Sequence, residues 1–148
     1  MVRSANPQRD DGVGMDKKLK HLEFIQLAIN RMASNLFVLK GWTVTLIAAL
    51  FALAAKESRN QYFLLAYVPM FMFWLLDGYF LSQERRFRSL YEHVTKLDES
   101  AIDFSMDTQP FKEMPPRNKW SHALFSPTLL IYYGVLAVTM SVVMWFLA

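Results

Sequence analysis

The chain has 148 residues, 53% hydrophobic and 15% aromatic, with a net charge of +3 and no cysteine. That composition excludes a disordered chain, and the missing cysteine excludes disulfides, a thiol nucleophile and a cysteine metal site. The apolar residues gather in three blocks, each about as long as the roughly 20 residues that cross a bilayer core. The fold class expected is an all-α integral membrane protein with three transmembrane helices.

Residues 1–15 are polar, contain Pro7, Gly12 and Gly14, and show no periodicity. They read as a disordered tail, or as an over-extended start ahead of Met15. Asp16 is the expected cap of the first helix. From there apolar residues recur at Leu22, Ile25, Ile29, Met32, Leu36 and Leu39, in alternating steps of three and four. Such steps give a helix one packed face. The first span, 36–55, is interrupted only by Lys40. It carries small residues at Gly41, Thr45, Ala48 and Ala52, a spacing that lets helix backbones approach closely in lipid.

The polar link Lys56 to Asn60 predicts a tight turn near Ser58. The second span, 61–82, is interrupted only by Asp77 and has Tyr62 and Tyr79 near its ends, as interfacial aromatics do. Pro69 is positioned to kink it. Helical spacing then continues through Phe87, Leu90, Tyr91, Val94 and Leu97. Folding about Ser58 pairs positions that sum to roughly 116, since both helices rise equally per residue. Ile29 then faces Phe87, Ile25 or Gln26 faces Leu90, and Leu22 faces Val94. The expectation is one long antiparallel hairpin over 16–97. A loop follows at 98–120, punctuated by Pro110, Pro115 and Pro116 and ending in Trp120, an interfacial anchor. Residues 121–148 form the third span, with Pro127 in its first turns. Gly134, Ala137 and Ser141 offer a second small-residue face, expected to pack on the hairpin.

Seven Lys/Arg precede Gly41 and seven more lie between the second and third spans, while the turn has two and the C-terminus none. The positive-inside rule places the N-terminus and the 83–122 segment in the cytoplasm and the C-terminus outside. A bacterial inner membrane is the expected location.

Asp77 stands out, because an ionisable group inside a span is costly. The hairpin arithmetic sets Lys40 at the same depth. Two readings are open: a salt bridge that holds the register, or a carboxylate lining an ion path. Gln26, Asn30 and Glu84 could continue a polar seam toward the cytoplasm, against the plainer reading of a solvated flank. Arg85, Arg86 and Arg88 suit anionic lipid headgroups or another anionic ligand. Asp98, Glu99, Asp103 and Asp107 form an acidic stretch for docking a partner; their spacing matches no calcium loop. His21 and His93 come near each other across the hairpin, but all three histidines read as surface residues, and no metal or cofactor is expected. No nucleophile sits beside a general base, so an enzyme is not expected, and neither is a nucleic-acid partner.

The stretches HLEFIQLAINRM, LKGWTVTL, ALFALAAKES, LDGYFLSQERRFRSLY and IDFSMDTQPF resemble a group of small bacterial integral membrane proteins without assigned activity. The hairpin plan also resembles the SLATT class of membrane modules, from which the third span departs. That resemblance implies an oligomeric, pore-forming or membrane-perturbing effector in antiviral defence. A non-conducting scaffold or sensor subunit that docks a cytoplasmic partner is the second reading. A small transporter coupled through Asp77 is the third. The bilayer and further copies of the chain are the partners expected.

Overall fold

The computed structural model describes residues 7–57 and 65–147, with side chains over 15–56 and 65–146. The expected hinge at Ser58 and the start of the second span, Tyr62 included, lie outside the described residues. In chain order the elements are α1 (Pro7–Glu57), α2 (Tyr67–Lys96), three 3₁₀ turns (Glu99–Ala101, Gln109–Phe111, Pro116–Asn118), α3 (Trp120–Leu124) and α4 (Pro127–Leu147). Among the described residues there is no strand.

The first helix is already formed at Pro7, ahead of the Asp16 cap expected, and its described length is 51 residues. Gly12 and Gly14 cost about 1 kcal/mol each relative to alanine, which weakens a helix without ending it.

Two helices are long and apolar enough to cross a membrane, Met15–Lys56 within α1 and Pro127–Phe146 within α4. The α2 helix is mixed, apolar from Tyr67 to Leu81 and charged beyond Ser82. The molecule therefore has an apolar half, made of residues 36–56, 65–82 and α4, and a charged half, made of residues 15–35 and 83–119.

In the charged half, Ile25 and Ile29 of α1 pack on Leu90 and Val94 of α2, flanked by Leu22, Phe87, Tyr91 and Leu97. Full burial of one such side chain is worth about 1.5–3 kcal/mol. Lys18 ties the end of the hairpin, its Nζ donating to the Thr95 and Leu97 carbonyls at 3.0 and 2.7 Å. Those carbonyls belong to the last turn of α2 and to its C-cap residue, where a cation is favoured. In the apolar half the core is smaller: Ile47, Ala66 and Met140, with Leu50, Phe51, Tyr67, Met70 and Leu136 around them.

The loop expected over 98–120 is a strap that folds back along α2. Ile102 and Phe111 of the strap pack on the hairpin core. The third helical segment is not continuous. The short α3 ends at Leu124, Ser126 donates to the Ala123 carbonyl at 3.1 Å, and α4 starts afresh at Pro127. Proline has no N–H for the Ala123 carbonyl and disfavours helical geometry at Ser126, so the helix must restart there.

Candidate functional site

Three helices meet where the two halves join. Asp77 of α2 is fully buried, and its Oδ2 lies 2.9 Å from Lys40 Nζ of α1. The Tyr133 hydroxyl of α4 donates to the same Oδ2 at 3.0 Å. Asp77 Oδ1 is buried and has no hydrogen-bond partner among the described residues. The Lys40 side chain keeps 25% of its surface exposed. Its ammonium sits 5.5 Å from the centre of the Tyr132 ring, within cation–π range. The Tyr132 hydroxyl donates to the Lys40 carbonyl at 3.1 Å. Thr43, also buried, returns its hydroxyl to the Leu39 carbonyl of its own helix.

This arrangement neutralises a buried carboxylate with one cation and one neutral donor, drawn from two different helices. Desolvating such a pair costs energy that only good geometry returns. Its chemical competence is to hold three helices in one register. The sequence reading found Lys40 and Asp77 and missed the tyrosines. A signal was present: Tyr132 and Tyr133 lie five and six residues after Pro127, and Asp77 lies five before Ser82. All are polar tips at matching depth in apolar runs.

The expected polar seam does not extend from this pair. Gln26 and Asn30 are exposed and bond to each other at 3.3 Å within α1. Glu84 is mostly buried and takes Arg88 Nε at 2.6 Å within α2. Each group is satisfied four residues along its own helix, which removes the need to cross to the other.

The arginine cluster also divides. Arg85 donates to the Arg117 carbonyl at 2.8 Å, and Arg117 reaches Glu92 at 3.6 Å. With Glu84 and Arg88 they line a shallow pocket of about 420 Å³. Burial holds the Arg85 guanidinium below its ordinary pKa, with Glu84 opposing that shift and Arg117 adding to it. Arg86 is buried, its Nε has no partner among the described residues, and it does not line this pocket.

The strap is anchored by a residue that sequence reading passed over. Asn118 is fully buried. Its Nδ2 donates to Ser89 Oγ and to the Phe111 carbonyl, both at 2.9 Å, and its own carbonyl accepts Ser82 Oγ at 3.0 Å. Ser82 and Ser89 lie seven apart on one face of α2, which was the available signal. Asp103 and Asp107 shape the strap, their Oδ1 atoms accepting the Ser105 and Gln109 amides at 2.9 Å each. Asp98 makes no side-chain cap, and Glu99 opens the first 3₁₀ turn. His21 is not a surface residue: the strap covers it, and its Nε2 lies 3.0 Å from the Ser105 carbonyl. His93 is exposed and packs beside Phe111 at 5.7 Å between ring centres. Among the described residues no group of three or more histidines and carboxylates is placed to hold a metal ion.

The small-residue faces point outward. Gly41, Thr45, Ala48 and Ala52 are exposed, and nothing lies within 4 Å of where a Cβ on Gly41 or Gly134 would stand. Ala137 is half-buried, and Ser141, exposed, shares a 2.8 Å hydrogen bond with the Tyr67 hydroxyl. Of the stripe expected to pack α4 on the hairpin, Ser141 thus reaches α2 at Tyr67, while Gly134 has no close neighbour within the chain. The glycine that does permit close approach is Gly78. A Cβ there would collide with the Leu124 side chain and lie 3.3 Å from the Leu124 Cα. Two indoles reinforce that seam, Trp74 Nε1 donating to the Leu124 carbonyl at 3.1 Å and Trp120 Nε1 to the Leu75 carbonyl at 3.3 Å.

No known protein family, curated protein or solved structure matches the chain.

Proposed function

We propose that the chain is a membrane-embedded scaffold or sensor subunit of a bacterial inner membrane, with its charged half in the cytoplasm as the working surface. The observation that carries this reading is the contrast in how the two halves treat polar groups. The apolar half turns large side chains outward, Phe37 at 81% exposure, Trp145 at 76% and Ile131 at 68%. Only 11% of the most apolar stretch of α1 is buried. Water is a poor solvent for such a belt, and acyl chains are a good one. A shallow apolar groove of about 590 Å³ beside Pro127, Ile131 and Val135 suits the same solvent. The charged half instead buries Asn118, His21 and Ser89 in a hydrogen-bonded platform.

A conducting assembly needs a polar face toward its axis. In the apolar half the exposed hydroxyls of Thr45, Thr139 and Ser141 return to their own helix carbonyls, and Asp77 is buried with its Oδ2 taken by Lys40 and Tyr133. This supports a non-conducting role over the pore-forming effector and over a transporter coupled through Asp77. Self-association, where it occurs, would use the outward small-residue face of α1.

Two measurements test the proposal. The chain lacks cysteine, so single thiols report topology cleanly. A membrane-impermeant maleimide added outside intact cells should label Lys56→Cys and spare Lys112→Cys; the reverse pattern would reject the orientation. Proteoliposomes of the purified protein should pass ions no faster than empty liposomes. Selective flux that disappears in Asp77→Asn would instead establish a conducting species.

A further inference from the structure

The arginine pocket of the charged half has no part in a purely structural scaffold. Arg85 and Arg88 of α2 and Arg117 of the strap line it, with Glu84, Glu92 and Leu81. A ligand can reach these groups, since the Arg88 and Arg117 side chains are 59% and 60% exposed. Their placement is set from within the chain. Arg85 donates to the Arg117 carbonyl at 2.8 Å, and the next residue, Asn118, is pinned to α2 through Ser82 and Ser89. Guanidiniums from a helix and from the strap are thereby brought to one cavity.

Little of their donor capacity is used. A guanidinium carries several N–H donors. Arg85 spends one on the Arg117 carbonyl, and Arg88 spends Nε on Glu84. Arg117 meets Glu92 at 3.6 Å, an ionic contact longer than a hydrogen bond. The charge is also unbalanced. Glu84 is matched by Arg88 and Glu92 by Arg117. Arg85 is left with a neutral carbonyl and lies within repulsive range of Arg117. Glu84, which attracts it, is already held by Arg88. An anion in the pocket would take the free donors and relieve that repulsion.

We propose that this pocket binds a phosphate group, as a monoester or a diester. Guanidiniums pair with phosphate through parallel N–H···O bonds. Here they come from two elements, which suits a tetrahedral anion with oxygens pointing several ways better than a planar carboxylate. The one unbalanced positive charge matches the single negative charge of a phosphodiester. Leu81 is the last apolar residue before the charged part of α2, so the pocket lies at the border of the two halves. Basic clusters at that level of a membrane protein meet anionic headgroups. A lipid headgroup and a free phosphate ester carry the same chemistry. Only the lipid source rests on the membrane reading; the phosphate site itself does not.

The test is calorimetric titration of the full chain in phosphate-free, non-ionic detergent. The probes are glycerophosphoglycerol and its dihexanoyl lipid, phosphatidylglycerol, against acetate and dihexanoyl phosphatidylcholine. Both glycerol phosphodiesters should saturate one site per chain, with acetate and the choline lipid at least tenfold weaker. A lipid that binds tighter than its deacylated headgroup would mark a headgroup as the source, and equal or weaker binding a free phosphate ester. The double variant Arg85→Gln, Arg117→Gln should weaken both diesters at least tenfold. Glu92→Gln removes an exposed carboxylate and releases Arg117, so it should tighten them several-fold, a gain that a misfolded chain cannot produce. Lys112→Gln removes a strap cation outside the pocket and should leave affinity unchanged. Absence of saturable diester binding, equal binding of acetate, no tightening in Glu92→Gln, or a loss in Lys112→Gln as large as in the double variant would overturn the proposal.

Discussion

The two halves of the molecule solve the problem of polar groups in opposite ways. The apolar half holds one buried ionic cluster, Lys40, Asp77 and Tyr133, and exposes its hydrophobic surface. The charged half exposes most of its ions, Glu84 and Arg86 excepted, and buries neutral polar groups, tying the strap to α2 through Asn118, Ser82 and Ser89. One is a set of helices pinned by a single strong contact. The other is a small folded unit held by many modest ones. A helix pair in lipid gains little from apolar burial, because lipid is as apolar as its side chains. It needs a specific polar contact to choose a register, whereas a helix pair in water already has its apolar core for that.

The contrast can be broken most sharply at the pinned contact. Lys40→Met leaves the Asp77 carboxylate buried with Tyr133 alone. Removing one partner of a buried pair costs about 3–5 kcal/mol, and the exposure of Lys40 points to the lower end. The double variant Lys40→Met, Asp77→Asn should recover much of the loss. Chemical unfolding in detergent checks this, and purely additive effects would mean that the two groups do not interact. Next in size is Asn118→Ala, which removes two donated hydrogen bonds worth about 1 kcal/mol each. Its signature should be local: protease cleavage within 98–119 should speed up several-fold, with the α1–α2 core intact. Gly78→Ala comes third, at about 1–3 kcal/mol for overpacking against Leu124. It should free Trp120 and shift its fluorescence toward that of a solvated indole. The smallest effect is expected from Gly41→Ala. With nothing within 4 Å of the new Cβ, an isolated chain should gain up to about 1 kcal/mol of helix propensity. A loss of stability that depends on protein concentration would instead reveal a second copy packed on that face.

The contacts that sequence made legible are those a hinge sets. Two helices joined by a short link run at equal rise, so numbering alone placed Lys40 beside Asp77 and Ile25 or Gln26 beside Leu90. Tyr133 was beyond that reasoning, because the 98–120 connection is too long to set the depth or rotation of α4. Gly41 and Gly134 found no neighbour within the chain for a related reason. Small residues allow close approach but do not name the neighbour. Gly78 has the same chemistry as Gly41, and it became the contact because Pro127 splits the last helix and leaves a short segment to lie across α2. The burial of His21 was hidden in the strap. Its path depends on the left-handed backbone at Phe104, φ 56°, whose ring lies 5.4 Å from His21. An aromatic residue in that region is uncommon, and no periodicity announces it.

The Asp77 cluster also implies an order of birth. Ribosomes deliver α1 first, α2 second and α4 last, and chains fold largely in that direction. Lys40 is available to Asp77 as soon as the hairpin exists, while Tyr133 arrives 56 positions later. The carboxylate therefore never has to wait alone for the last helix. A chain stopped before Pro127 should accordingly still form its hairpin, with amide exchange around Ile25 and Ile29 as slow as in the full protein. The tyrosine then acts as the closing stitch on a seam already sewn.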